Sequence, residues 1–407
     1  MANTESQASE DNGGLRYGAP VPTGGYVVTV KETVSDSYDY VASAIQKLTS
    51  EFNVNKMAAD SEIGDSGLVS VDDFKLAYVE GQASEMVQAV ANSLRAEDEI
   101  EDVRPEFYLF GDDAAAQPQF SDTAVSTWGV EAVGANLSAA TGSGVKLAVL
   151  DTGFDFQHPD FASRTIVKQS FVPRESADDV QGHGTHCAGT AAGPQAFGAV
   201  HPRYGVAFEA DLYIGKVLNN SGAGAERWIT SGMSWAIQQG CDVISMSLGR
   251  ATQPGEGPTP EYERAGQIAL ANNCLIIAAA GNESDRRYGY IAPVGAPANS
   301  PSIMAIAALD RELEVANFSC GGINPNGGEI DLAAPGVDVF SSVPLPRRYQ
   351  RLSGTSMACP HVAGVAALWA QTNPALRGTA LWNQLINSAM PLSHPARDCG
   401  AGLVKAP

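Results

Sequence analysis

Four polar side chains stand beside apolar runs or among glycines, and their types suit one kind of chemistry. Asp151 closes the run VKLAVLD. A carboxylate after mostly apolar residues is costly to bury without a partner, and on its own it would read as the cap of the next turn. His183 lies between two glycines in GHGTHCAGTAAG, Gly182 to Gly193, which leaves room for a substrate over the ring. His186 falls about one helical turn further on and reads as a packed helix residue, and metal binding by the pair lacks an apparent third ligand. Asn282 follows Gly281 after IIAAA, where its amide could donate to a developing oxyanion or simply turn the chain. Ser356 sits in GTSMACPHVAG, Gly354 to Gly364, at a turn opening a helix-like apolar run. A serine hydroxyl becomes a nucleophile only when a base takes its proton and dipoles stabilise the oxyanion. A helix start supplies such dipoles, and the other three residues supply the remaining parts of an acyl-transfer site.

The segments that must position these residues form two textures. From about Ser126, short apolar strands (VKLAVL, DLYIGKVL, CDVISMSL, CLIIAAA, IMAIAAL) alternate with helical stretches such as ERWITSGMSWAIQQG. Continuous apolar strands separated by helices predict a three-layer α/β/α fold with a mostly parallel central sheet. In such folds chemistry gathers at the carboxyl ends of strands. Upstream, GYVVTVKE reads as a strand and Val41, Ile45, Leu48 and Phe52 as a helical face. FKLAYVEG then gives a strand, Met86, Val90 and Leu94 a second helical face, and VRPEFYLF a closing edge strand that tolerates Pro105. The expected organisation is a flexible arm at 1–24, a small α+β domain at 25–112, a linker at 113–125 and an α/β domain at 126–407.

Charge marks the same boundary. Of a net −21, the first 120 residues hold −15, from 22 acidic and 7 basic side chains. Nucleic acid is a poor partner for such a chain. No apolar run approaches the roughly 20 residues needed to span a bilayer. The start, MANTESQASEDNGG, has neither the basic nor the apolar stretch of a secretory signal. With few cysteines and a pI near 4.6, this leans toward the cytoplasm, non-classical export being the other route. Cys187, Cys241, Cys274 and Cys359 read as small buried thiols, whereas pairing of Cys320 and Cys399 cannot be read.

In the order Asp151, His183, Asn282, Ser356, the separate signals become one pattern, since Asp…His…Ser is the chain order of subtilisin. DTGFDFQHPDF, HGTHCAGT, SMSLG, AAAGN, LAAPG and GTSMACPHVAG resemble the signature blocks of the subtilases, in order, over residues 126–407. The resemblance implies a serine endopeptidase with Ser356 as nucleophile, His183 as general base and then acid, and Asp151 orienting the imidazole. Asn282 and the Ser356 N–H would form the oxyanion hole. Ser247, Leu248 and Gly249 resemble one edge that pairs with an extended substrate, and Gly222, Ala223 and Gly224 the other. Ala278, Ala279, Ala280 and Gly281 resemble a wall of the primary specificity pocket, with room for an apolar or aromatic side chain before the scissile bond. His158, His361 and Pro360 match the blocks but read as structural, Pro360 because a first-turn proline loses no hydrogen bond. Cys187 and Cys359 are expected near the site.

The upstream unit resembles the subtilase prosegment in size and element order. It implies a zymogen whose own domain acts as intramolecular inhibitor, inserts its tail into the cleft and is cut off between about Phe110 and Ser126. Peptide or protein substrates are the implied partners, and no cofactor is required. Calcium is the one ion the family suggests: Asp160 matches a family ligand, but the loop GPQAFGAVHPRYG after the histidine block lacks the asparagine-rich run, so no metal ligands are assigned. Rival readings are a maturation protease dedicated to one partner or leader peptide, a transpeptidase sharing the acyl-enzyme, and a non-catalytic peptide-binding scaffold.

Overall fold

A computed structural model describes residues 22–51, 68–79, 94–95, 97–111, 122–195, 201–324 and 327–407. The upstream unit opens with strand β1 (Pro22–Val30), helix α1 (Ser37–Glu51), β2 (Leu68–Val71), β3 (Leu76–Val79) and β4 (Ile100–Gly111). Its strands pair antiparallel in the order β4-β1-β3-β2. β2 falls in what reads from sequence as a polar loop, because four residues are too short for a periodic signal. Phe52, Met86 and Val90 of the expected helical faces lie outside the described residues, as does most of the linker.

Side chains alternate across a strand, and this sheet is apolar on both faces. Val28, Val30 and Ala77 pack with Val41 and Ala44 of α1. Val27, Leu76 and Tyr78 point the other way and join the core of the downstream domain. A small domain with one helical layer thus buries its second face only by docking.

The downstream domain begins with helix α2 (Trp128–Ala132), β5 (Lys146–Asp151), β6 (Val167–Ser170) and helix α3 (His183–Ala192). β7 (Asp211–Lys216), β8 (Ala223–Ala225), helix α4 (Glu226–Gln238), β9 (Val243–Met246), β10 (Leu248–Gly249) and helix α5 (Pro260–Ala271) follow. Then come β11 (Leu275–Ala279), β12 (Met304–Leu309), β13 (Leu332–Pro335), β14 (Val339–Ser342), β15 (Tyr349–Leu352), helix α6 (Thr355–Thr372) and helix α7 (Gly378–Ser388). Seven strands form an all-parallel sheet in the order β13-β12-β11-β9-β5-β7-β6, and helices cover it to give the three-layer α/β/α fold. The strand order reverses beside β5 and β9, which places a crevice at their carboxyl ends. α6 is apolar almost all round and buried along most of its length, as a helix at the centre of a large domain must be. Among the described residues no helix is long and apolar enough to cross a membrane.

Docking is continuous with the sheet of the upstream unit. β4 is that unit's edge strand, and its last residues run on between β8 and β10, pairing antiparallel with both. Tyr108 to Phe110 face Ala225 to Ala223, while Phe110 and Gly111 face Gly249 and Leu248. Polar contacts fix the two bodies beside this junction. The Tyr78 hydroxyl lies 2.6 Å from the Thr230 hydroxyl. Glu106 accepts from the Arg227 backbone N–H at 3.1 Å and from its guanidinium at 2.9 Å. Arg104 donates to Glu226 at 2.8 Å and is also paired with Glu261, and both glutamates are fully buried.

Candidate active site

Asp151 ends β5, and its neighbours β7 and β9 bury it to 1% exposure. Its Oδ1 accepts from the Thr152 N–H at 2.7 Å and from His183 Nδ1 at 2.8 Å. A carboxylate can only accept, so Nδ1 carries the proton and Nε2 is left with a lone pair. That is the tautomer a general base needs. Burial opposes the charged ring, but the adjacent Asp151 carboxylate outweighs it and raises the His183 pKa well above its ordinary value.

His183 is the first residue of α3, and a buried carboxylate holds the turn before it. Asp179 accepts from the N–H groups of Gln181, Gly182 and Thr185 and from the hydroxyls of Thr152 and Thr185, all between 2.6 and 3.0 Å. Gly182 takes φ +108°, a backbone open to glycine at little cost. His186, further along the same helix, lies 3.0 Å from the Val339 carbonyl and packs away from the site.

Ser356 is the second residue of α6, 1% exposed. Its hydroxyl donates to the Ser247 carbonyl at 3.3 Å, while His183 Nε2 has no hydrogen-bond partner. Asp151 and His183 are therefore joined, and the serine is turned aside from the imidazole. Pro360 is the sixth residue of the helix, not in its first turn, so the expectation that its missing N–H is harmless fails. The lost bond is the one to the carbonyl of residue 356. That carbonyl instead accepts from the Ser247 hydroxyl at 2.7 Å and the Cys187 thiol at 3.5 Å.

Asn282 is oriented by the residue before the serine. Its Oδ1 accepts from the N–H and hydroxyl of Thr355 at 2.8 and 3.0 Å. A backbone N–H must face an oxygen, which fixes the amide and leaves Nδ2 a buried donor without a partner. An unpaired buried donor is costly, and here it sits beside the first N–H groups of α6, which lack helical acceptors.

Of the expected substrate edges, Ala223, Gly224, Leu248 and Gly249 form β8 and β10 and grip β4. Gly222 and Ser247 immediately precede these strands. Ala278 and Ala279 belong to β11 inside the parallel sheet, with Ala278 opposite Met246. Ala280 and Gly281 then carry the chain out to Asn282. All six cysteines are free and buried, which resolves Cys320 and Cys399 as unpaired thiols. Burial pushes the Cys187 thiol up to about 11. It lies 3.8 Å from His183 Nδ1, close enough that a thiophilic ion could meet Asp151, His183 and Cys187 together, though only by breaking the Asp151–His183 bond.

Three residues at the site carry no reading from sequence: Thr355, Asp179 and the Ser247 side chain. Thr355 is adjacent to Ser356, and Asp179 is four positions from His183 in DDVQGH. Proximity was the only signal, and neither residue type declares its partner before the fold brings it close.

Residues 142–402 match the profile of the Subtilase family. The chain is 41% identical over 273 residues to an intracellular serine protease of Paenibacillus polymyxa, which covers 65% of this chain and 79% of that one. It is 41% identical over 284 residues to Subtilisin Savinase of Lederbergia lenta, 69% of this chain and 96% of the relative. To Subtilisin DY of Bacillus licheniformis it is 40% identical over 249 residues, 61% and 84% of the two chains.

Proposed function

The chain belongs to the subtilase family and is a serine-type endopeptidase, and from that premise we propose that it is made as a self-inhibited precursor that cuts itself. Ser356 attacks the peptide carbonyl, His183 takes its proton through Nε2 and returns it to the leaving amine, and Asp151 holds the protonated Nδ1. Asn282 Nδ2 and the Ser356 N–H stabilise the oxyanion. Catalysis of this kind requires no cofactor. The Ser356 hydroxyl must first rotate from the Ser247 carbonyl to His183, a small torsional change of the kind that often separates a resting site from a reacting one.

The observation that carries the reading is β4 seated between β8 and β10. An extended peptide added to two sheet edges is how such clefts bind substrate, and here residues 108–111 of the chain's own β4 fill the slot. Pairing continues through Gly111, and Asp122 is held on the downstream domain by Arg311 at 3.1 Å and by the Trp128 N–H at 3.1 Å. The first cut therefore belongs after Gly111 and before Asp122, within the linker expected at 113–125 or at its edge. Phe110 is opposite Gly249, two positions short of Ser247, so it fills an upstream part of the slot rather than the position before the scissile bond. The small residues Ala279, Ala280 and Gly281 favour an apolar or aromatic side chain there in other substrates, whereas the chain's own residue two beyond Phe110 is Asp112.

Mass spectrometry of purified wild-type and Ser356→Ala chains tests this. The variant stays full length, and the wild type yields a large fragment whose N-terminus lies in that interval. Identical masses would overturn self-processing and leave a permanently attached accessory domain.

A further inference from the structure

The family suggests calcium at Asp160, and the side chains around Asp160 do not fit that ion. Calcium takes six to eight oxygen ligands that present lone pairs. Here Oδ2 of Asp160 accepts the Tyr204 hydroxyl at 2.5 Å, and the Tyr349 hydroxyl lies 2.9 Å from Oδ1 and 3.1 Å from Oδ2. His201 Nε2 is 3.4 Å from Oδ2. Both carboxylate oxygens thus face donors, whose hydrogens occupy the side a cation would need. Among the described residues, no cluster of three metal-ligating side chains includes Asp160. Residues 196–200 of the adjoining loop lie outside the described residues.

The surroundings are aromatic rather than oxygen-rich. His201 and Tyr349 rings lie 4.9 Å apart, Phe340 stacks on Tyr349 at 5.3 Å, and Tyr204 meets Phe340 edge-on at 6.0 Å. Below them the Asp160 N–H donates to His158 Nδ1 at 3.3 Å. This fixes the His158 proton on Nε2, which donates to the Arg348 carbonyl at 3.0 Å.

We propose that Asp160 is the anchor of a metal-free clamp, in which Tyr204, Tyr349 and His158 do the tethering that a calcium ion would otherwise do. The clamp joins three segments that lead to the active site. Asp160 follows β5 and Asp151, Tyr204 follows the exit of the His183 helix, and Tyr349 begins β15, the strand that runs into Ser356. Burial, reinforced by the neighbouring Asp160 carboxylate, raises the pKa of both tyrosines. Their hydroxyls remain donors well into alkaline solution.

Thermal melting of the full chain, carried in a Ser356→Ala background to prevent self-cutting, tests the clamp. The midpoint is expected to be the same in EDTA and in calcium chloride, and Asp160→Asn is expected to lower it by roughly 3–8 °C in both. A calcium gain of equal size in both proteins would place an ion elsewhere and leave the clamp standing. A calcium gain present in the parent and absent from Asp160→Asn would overturn it, as would an Asp160→Asn midpoint equal to the parent's. Should Asp160→Asn fail to fold, Tyr349→Phe replaces it in the melting series, with terbium chloride alone as a second probe. A tyrosine-sensitised terbium signal that Tyr349→Phe abolishes would put a cation at Asp160 and sink the proposal; no such signal is expected.

Discussion

The hydroxyl of Ser247 donates to the backbone carbonyl of Ser356 at 2.7 Å, replacing the helical donor that Pro360 cannot supply. Ser247 also offers its own carbonyl to the Ser356 hydroxyl, so one residue at the head of β10 grips Ser356 twice. In the proposed mechanism this links substrate pairing to placement of the nucleophile. Removing the hydroxyl leaves the buried carbonyl only the weak Cys187 thiol, a loss of about 1–3 kcal/mol. Ser247→Ala is expected to lower kcat by about tenfold or more while KM moves little. Steady-state kinetics on a chromogenic peptide decide it; a pure KM effect would mean that Ser247 serves binding alone.

The pH dependence follows from the Asp151–His183 bond. A general base works when neutral, so activity rises as pH passes upward through the imidazole pKa. The Asp151 carboxylate raises that pKa, which places the acidic limb of kcat/KM above the ordinary imidazole value. In Asp151→Asn the raising charge is gone and the limb moves to lower pH, while kcat falls on the order of 10⁴-fold. Stability responds to pH in the other sense. A raised histidine pKa contributes stability that is present below about pH 6.5, the unfolded value, and is lost as pH climbs through the folded value. Chemical denaturation of Ser356→Ala with and without Asp151→Asn should converge toward alkaline pH.

Asn282 has its oxygen tied to Thr355 and its Nδ2 buried without a partner, and this is the donor that the proposed mechanism directs at the oxyanion. Asn282→Ala is therefore expected to cost about 10²–10³ in kcat with KM nearly unchanged. Thr355→Val keeps the backbone bond and loses the hydroxyl one, so its loss should be smaller, about tenfold. Equal effects of the two substitutions on KM would argue that this pair shapes the pocket instead.

What the sequence revealed was local. Asp151, His183, Asn282 and Ser356 announce themselves because each ends an apolar run or sits among glycines, and chain order supplies the rest. The parallel sheet was legible for the same reason, since buried strands such as LIIAA are apolar throughout. Contacts between distant segments were not. Nothing in LVSV separates a four-residue strand from a loop, and nothing in Thr355 or Asp179 names a partner. Pro360 misled because its position in the helix depends on where the helix begins, and Thr355 opens it only one residue before Ser356. β4 reads as an edge strand, which states only that a partner is wanted. The family resemblance, with Gly222–Gly224 and Ser247–Gly249 as substrate edges, is what pointed to β8 and β10, more than a hundred residues away.

The grip on β4 rests heavily on Arg104. It is the guanidinium shared by Glu226 and Glu261, two carboxylates with no solvent exposure while the upstream unit is docked. Removing one partner of a buried ion pair costs about 3–5 kcal/mol, because the remaining charge is left unpaired. Arg104→Met should therefore weaken docking by about 10²–10³-fold or more, while Arg104→Lys retains part of the hold because it keeps the charge. After self-processing, the Met variant is expected to show peptidase activity with a much shorter lag than wild type, followed by continuous substrate release assays. An unchanged lag in Arg104→Met, with processing confirmed by mass, would show that the strand pairing of β4 alone holds the slot shut.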